Sequence, residues 1–400
     1  MTAAVPDVVT PPPGNPRFPL FDSLRAVAAL SIVLVHTALF AGVFGHASYQ
    51  RLVAHLDIGV TIFFVISGFL LYRPMLAARI LSAPRTPVPT YARRRFLRIF
   101  PAFWLALTVL AIFPGVYGVF TGNFWVYYGL LQSFPVYTQS GKCALFTVTA
   151  FNCGITPVWS LTIEVIFYAL LPLFAFAMAR LTSRVRDRRW LPVELGVLLA
   201  LTGVSIWIQG SHLHSSLQPY LFYSPLGRAW WFGLGMALAA ISVWVEQRGR
   251  PPRAVGWVGS HPAAPWAAAI GLYLLAALVL FRPVPTLSGP VVPLGEYVAE
   301  YLVFGVVAAL VVLPAVFNER PRGLPQLVLQ HPVLSWLGLI SYGIFLWHFP
   351  IMYALVQGNI ESWIPSLFYP VLIVTTLAIT IVCASLSYYL VERPLMRWKR

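Results

Sequence analysis

About ten times along its 400 residues the chain runs apolar for about 18 to 25 residues, enough for each run to cross roughly 30 Å of hydrocarbon as a helix. The runs centre near Leu30, Val65, Leu107, Ala169, Leu199, Met236, Tyr273, Val307, Leu346 and Ile379. A chain built this way folds as an all-α, polytopic membrane protein, because in lipid each helix satisfies its own backbone polar groups. Composition agrees: 59% of the residues are hydrophobic and 10% charged, too few charges to cover a soluble fold of this length. Soluble enzymes, secreted disulfide scaffolds and disordered chains are thereby excluded. The 3 cysteines match no zinc or iron–sulfur spacing, so no metal is expected, although Cys143 and Cys153 could bridge in an oxidising compartment.

The formal net charge of +15 is informative through its distribution. If the N-terminus is cytoplasmic, alternate loops should be rich in Arg and Lys, and RILSAPRTPVPTYARRRFLR, ARLTSRVRDRR, EQRGRPPR, NERPRG and the closing ERPLMRWKR are. In the opposite set of loops stand only Arg51, Lys142 and Arg282. Both termini are therefore expected in the cytoplasm, and the basic excess calls for a bilayer rather than nucleic acid. Residues 1–18, with VVTPPPGNP and no helical period, read as a disordered tail; 19–392 form the transmembrane domain and 393–400 a basic tail. Phe124 to Phe134 is too short to span and reads as a partly embedded loop. No internal repeat is visible, which weakens an argument from transporter symmetry.

Ionisable groups inside spans cost several kcal/mol unless paired or solvated, so each is a candidate. In FDSLRAVAALSIVLVHT, Asp22, Arg25 and His36 fall within roughly 60° of one another on one helix face, with His36 some 16 Å beyond Arg25. Asp22 and Arg25 read either as an interfacial i,i+3 ion pair or as the foot of a polar stripe. His36 is either a helix-to-helix hydrogen-bond partner or a base that takes a proton from a hydroxyl. Arg73, Arg95 and Arg98 lie in a cytoplasmic layer; Arg95 and Arg98 serve as a topology anchor or as two forks for phosphate. Glu164, Arg228, Glu296, Glu300 and His348 form an outer layer. Glu164 pairs with Arg228 or orients a histidine, while Glu296 and Glu300 read as a solvated helix start. Ser67-Gly68-Phe69 and Gly233-Leu234-Gly235 read as close helix contacts.

Seven segments in order, FDSLRAVAALSIVLVH, IGVTIFFVISGFLL, RRRFLRIFPAFW, PVWSLTIEVIFYALLP, GRAWWFGLGMALA, SYGIFLWHFPI and ERP, resemble the acyltransferase 3 family of integral membrane O-acyltransferases. The likeness runs from about Phe18 to Trp398. The family's Arg–ten residues–His element falls on Arg25 and His36, its RxxR element on Arg95 and Arg98, and its WSLxxE element on Trp159, Ser160 and Glu164; Asp22, His348 and Glu392 match recurring positions. Ala26 replaces a frequent Gly, and Phe167-Tyr168 stand where an aromatic pairs with the WSLxxE acid. The extracytoplasmic esterase-like domain of many relatives is not expected here.

The resemblance implies a multi-pass enzyme of the inner or plasma membrane. It would move an acyl group, acetyl by default, from cytoplasmic acyl-CoA to a hydroxyl of a carbohydrate or glycosylated acceptor in the cell envelope. Arg25, Arg73, Arg95 and Arg98 would hold the acyl-CoA phosphates. His36 would be the catalytic base, or a nucleophile forming an acyl-histidine, with Asp22 or Glu164 orienting it, and Arg228, His348 and Trp159 would contact the acceptor. The competing reading is a transporter or flippase in which the same ions line a path; a third is an acyl-import subunit serving an outer transferase.

Overall fold

The computed structural model describes residues 18, 20–43, 47–120, 124–134, 153–183, 185, 189–211, 220–221, 223–282, 293–317 and 323–397. Cys143, most of the expected N-terminal tail and residues 398–400 fall outside them, and with Cys143 the expected pairing to Cys153.

The chain is an all-α membrane protein. Its main helices are α1 (Leu20–Phe40), α2 (Ile58–Ile80), α3 (Val88–Ile112), α4 (Val158–Thr182), α5 (Trp190–Gly210), α6 (Ala229–Arg248), α7 (Ala263–Leu275), α8 (Leu294–Val316), α9 (Pro332–Leu339), α10 (Ser341–Gln357) and α11 (Phe368–Ser387). Among the described residues nine helices are long and apolar enough to cross a membrane, and one further helix pair passes the same test together. Each sits on an expected apolar run.

That pair is α9 and α10, bent by 71°, where the sequence predicts one continuous span near Leu346. Apolar continuity does not reveal the bend, because packing imposes it. Gly338 lies against the Asp22 carbonyl so closely that a side chain there would collide with the α1 backbone. Ser23 Oγ donates to the Leu329 carbonyl at 2.5 Å and lies 3.1 Å from Ser335 Oγ. Thus α9 lies across the start of α1, while α10 turns away to pack along α11. The Phe124–Phe134 segment is short, as expected: a helix over Phe124–Tyr128, then turns fixed on α4 by Thr162 Oγ1 donating to the Leu130 carbonyl at 3.0 Å.

Two apolar cores result. One joins α2, α4, α5, α6 and α8 through Phe64, Phe69, Phe232 and Met236; the other joins α1, α3, the start of α4, α10 and α11 through Phe103, Leu107, Ile344 and Leu346. The pair α2–α6 has the most extensive contact among the described helices, and both expected small-residue contacts are in it. A Cβ on Gly68 would meet the Phe232 carbonyl, and one on Gly235 would meet the Val65 carbonyl. Backbones approach this closely because no side chain intervenes, which is how helices gain dispersion contact without a hydrophobic driving force. Gly235→Val should therefore lower detergent-solubilised stability by about 2 kcal/mol or more. Gly203→Ala, with nothing within 4 Å of the added carbon, should be neutral or stabilising in the same thermal-melt assay. Equal effects would contradict this packing.

Candidate active site

Where the two cores meet, α1, α2, α3, α4 and α10 leave a cavity of about 90 Å³ between them. One end is polar, with Arg25, Arg95, Arg98, Ser67, Glu164 and Tyr168; the other is apolar, with Ile32, Val60, Phe63 and Phe345. A larger cavity of about 850 Å³ adjoins it and shares Leu70, Leu71 and Arg95. Its lining includes Arg73, Arg79, Arg85, Arg94 and Arg180, with Asp22 among its acids. Guanidinium groups therefore outnumber carboxylates along both chambers, an arrangement that draws in a polyanion.

The arginines differ in what already holds them. Arg73 donates to Glu246 at 2.6 Å and Ser242 at 3.1 Å, and Arg79 is paired with the buried Glu194, which also accepts from Tyr72. Both are mainly committed to protein partners. Arg85, Arg94 and Arg180 are exposed around the larger chamber. Arg95 lines both cavities, its guanidinium 5.8 Å from the centroids of both the Tyr91 and Tyr168 rings. Its Nε has no hydrogen-bond partner among the described residues. Arg25 donates to Asp22 at 2.8 Å, closing the i,i+3 pair on α1.

One helical turn beyond Ile32 on α1 stands His36, and three residues beyond Phe345 on α10 stands His348. His36 Nδ1 and His348 Nε2 are 2.9 Å apart, and the ring planes differ by 3° with centroids 5.2 Å apart. That is the geometry of two imidazoles joined edge to edge through one N–H···N bond. His348 is fully buried, and its Nδ1 donates to the Ile344 carbonyl at 2.9 Å. The network assigns the tautomers: with the Nδ1 proton of His348 so used, its Nε2 is an acceptor, and His36 Nδ1 must be the donor. The lone pair of the dyad is then left on His36 Nε2. Phe349 packs edge-on to His36 at 5.1 Å and walls one side.

Several sequence expectations change. Glu164 accepts from Ser67, and among the described residues pairs with neither Arg228 nor His36. It lines the small cavity with the arginines, so it belongs to their layer and not to an outer one. Asp22 is taken by Arg25, and its 14-residue separation from His36 is about 21 Å of helix, too far to orient that ring. His348 does so instead, where the sequence placed it against the acceptor. Glu300 is no solvated helix start: it contacts Nδ1 of the fully buried His55 at 2.7 Å. Arg228, itself buried, faces Trp231, Trp159 and Tyr301 at 4.8, 5.7 and 5.9 Å, which brings the expected Arg228 and Trp159 together. Sequence reading missed His55, Asp57, Arg85 and Arg180; a histidine and an aspartate two residues apart at the edge of an apolar run were the available signal for the first two.

The acyltransferase 3 family model, described as an acyltransferase domain, matches residues 19–385. The chain belongs to this family. It is thus an acyltransferase of the membrane, and the acyltransferase is similar to several named proteins. BcsY of Komagataeibacter xylinus, named for membrane-bound transacylation, is 27% identical over 93% of this chain and 81% of its own length. Acyltransferase MdmB of Streptomyces mycarofaciens is 27% identical over 96% and 93%. Peptidoglycan O-acetyltransferase OatA of Listeria monocytogenes is 25% identical over 95% of this chain, which spans 56% of that protein's length. No solved structure matches the chain.

The new pairing is testable by a double-mutant cycle on thermal stability. Ser67→Ala and Glu164→Gln should couple by about 1 kcal/mol. Glu164→Gln and Arg228→Gln should add within about 0.5 kcal/mol. The reverse pattern would return Glu164 to Arg228.

Proposed function

We propose that this acyltransferase moves a short acyl group, with acetyl expected, from acyl-CoA to a hydroxyl of a carbohydrate or glycosylated acceptor. The observation that carries the reading is order along α1: Asp22 lines the arginine-rich chamber, Arg25 and Ile32 line the small cavity that shares Arg95 with it, and His36 of the His36–His348 dyad comes one turn later. Coenzyme A is polyanionic with a long, narrow pantetheine arm, and this sequence of spaces suits it. Arg85, Arg94 and Arg180 would meet the phosphates first, with Arg95, Arg98 and Arg25 deeper and Arg73 held in place by Glu246. Ser67, Tyr168 and Tyr342, which line the small cavity, would offer hydrogen bonds to the amides of the arm. The charge pattern of the loops supports an arginine chamber and both termini on the cytoplasmic side of the inner or plasma membrane. The transmembrane domain, about residues 19–392, contains all of these parts.

In this reading His36 Nε2 takes the proton of the acceptor hydroxyl as its oxygen attacks the thioester carbonyl. A C–O bond forms, the C–S bond breaks, and the proton passes from His36 to the departing thiolate. His348 keeps the His36 ring in the tautomer and orientation the step needs, as a partner on the far nitrogen does for other working imidazoles. The Asp22–Arg25 pair steadies the foot of α1. Trp159 and Arg228 would contact the acceptor, an aromatic face and a cation being suited to a glycosyl group. Names of relatives that include O-acetyltransferase activity support a hydroxyl acceptor.

The test is transfer of label from acetyl-CoA to a cell-envelope glycan extract by the purified protein in liposomes. His36→Ala should lose at least about 100-fold in rate. His348→Ala should lose about 10- to 100-fold in kcat with little change in the KM for acetyl-CoA, and His348→Gln, which restores an acceptor to His36 Nδ1, should recover part of it. Arg85→Ala/Arg180→Ala should raise that KM and spare kcat. Absence of thioester consumption by the wild type with every acyl-CoA tried would overturn the reading in favour of solute transport.

A further inference from the structure

The small cavity changes character in one direction along the helices that enclose it. On α1, Ile32 lies about two turns beyond Arg25; on α2, Phe63 and Val60 lie about one and two turns to the N-terminal side of Ser67. On α4, Leu161 precedes Glu164 by three residues, and on α10, Phe345 follows Tyr342 by three. The charged lining groups, Arg25, Arg95, Arg98 and Glu164, therefore share the part of the cavity that meets the arginine chamber at Arg95. The apolar part points toward the dyad. Phe345, which lines it, has its ring centroid 6.3 Å from that of His348, and Ile32 stands one turn before His36.

That apolar part is small and offers little to a polar group. Phe63 is half-buried, packs against both apolar cores and lines the space between them, so its ring closes the seam. The Ser160 hydroxyl at this level already donates to the Pro157 carbonyl at 3.1 Å. The whole cavity measures about 90 Å³. An apolar cavity of about 150 Å³ takes up benzene, with its six carbons, so on that scale there is room for about three or four carbons here.

Resting on the acyltransfer reading above, we infer that Phe63, Val60 and Phe345 form a ruler for the acyl group, admitting a neutral chain of two to about four carbons and excluding longer or charged ones. The thioester is the part of the donor that must come within reach of His36, so its acyl chain meets the walls of the apolar end. Each methylene beyond the available space has to displace a packed ring, which costs more than it gains. A terminal carboxylate at this level would be buried without a cation, since the arginines line the opposite part. The same walls that bring the short chain beside the dyad therefore select its length and its charge.

The test uses the full chain in liposomes with the cell-envelope glycan extract and five labelled donors: acetyl-, propionyl-, butyryl-, hexanoyl- and succinyl-CoA. In wild type, kcat/KM for hexanoyl-CoA should lie at least about 100-fold below that for acetyl-CoA, and succinyl-CoA about as far below butyryl-CoA. Phe63→Ala should raise the hexanoyl-to-acetyl ratio at least about tenfold, with Phe63→Leu intermediate, while succinyl-CoA stays excluded. Val60→Phe should lower the butyryl-to-acetyl ratio about tenfold. Leu70→Ala trims the lining on the arginine-chamber side and should leave both ratios within about twofold. Each ratio is taken within one variant, so a partly inactive preparation does not imitate the shift. A flat chain-length profile in wild type, ratios unmoved by the Phe63 and Val60 variants, or an equal shift in Leu70→Ala overturns the ruler and leaves acyltransfer standing. No transfer from any of the five donors by wild type overturns both.

Discussion

An arginine inside hydrocarbon must find an anion, an aromatic face or water, and the architecture follows from how each buried guanidinium meets that demand. Arg25 takes Asp22, Arg73 takes Glu246, Arg79 takes Glu194, and Arg228 settles among aromatic rings. Arg95 has two tyrosine rings and an Nε with no partner among the described residues. Among these, pairing is least complete at Arg95, which lines both cavities. Residual positive charge collects where a passing polyanion would relieve it, which links a demand of stability to binding.

Small residues make this arrangement possible. Gly68 and Gly235 bring α2 and α6 into backbone contact, Gly59 does the same for α2 and α1, and Gly338 lets α9 cross Asp22. With α2 fixed on both sides, the seam it forms with α1, α3, α4 and α10 cannot close, and the cavity remains between two well-packed cores. The bend between α9 and α10 has a second consequence. It frees α10 to run beside α1 and α11, which sets His348 against His36.

Much of this was legible in the sequence. Length and hydropathy locate every span, since crossing a bilayer imposes a length that composition alone reveals, and the spacing of Arg25 and His36 puts both on one face of α1. The motif positions also mark Arg95, Arg98, Trp159 and Glu164. What sequence does not carry is which distant groups meet. His36 and His348 are 312 residues apart, and nothing local in either segment says that one imidazole orients the other. Glu164 was misplaced for the same reason: its position along α4 gives a depth but not the neighbour, and Ser67 on α2 supplies that. The kink at Ile340 was hidden because an unbroken apolar run is compatible with a straight helix and with a bent one.

The central claim is that donor and acceptor reach His36 from opposite ends of one path. Liposomes in which the protein has a single orientation, with labelled acetyl-CoA confined to the arginine-chamber side and an impermeant glycoside confined to the other, test it directly. Ester should form across the membrane, and should not form when the glycoside is confined with acetyl-CoA on the arginine-chamber side. Equal yield from the two placements, or ester formed only when both substrates share that side, would contradict the account.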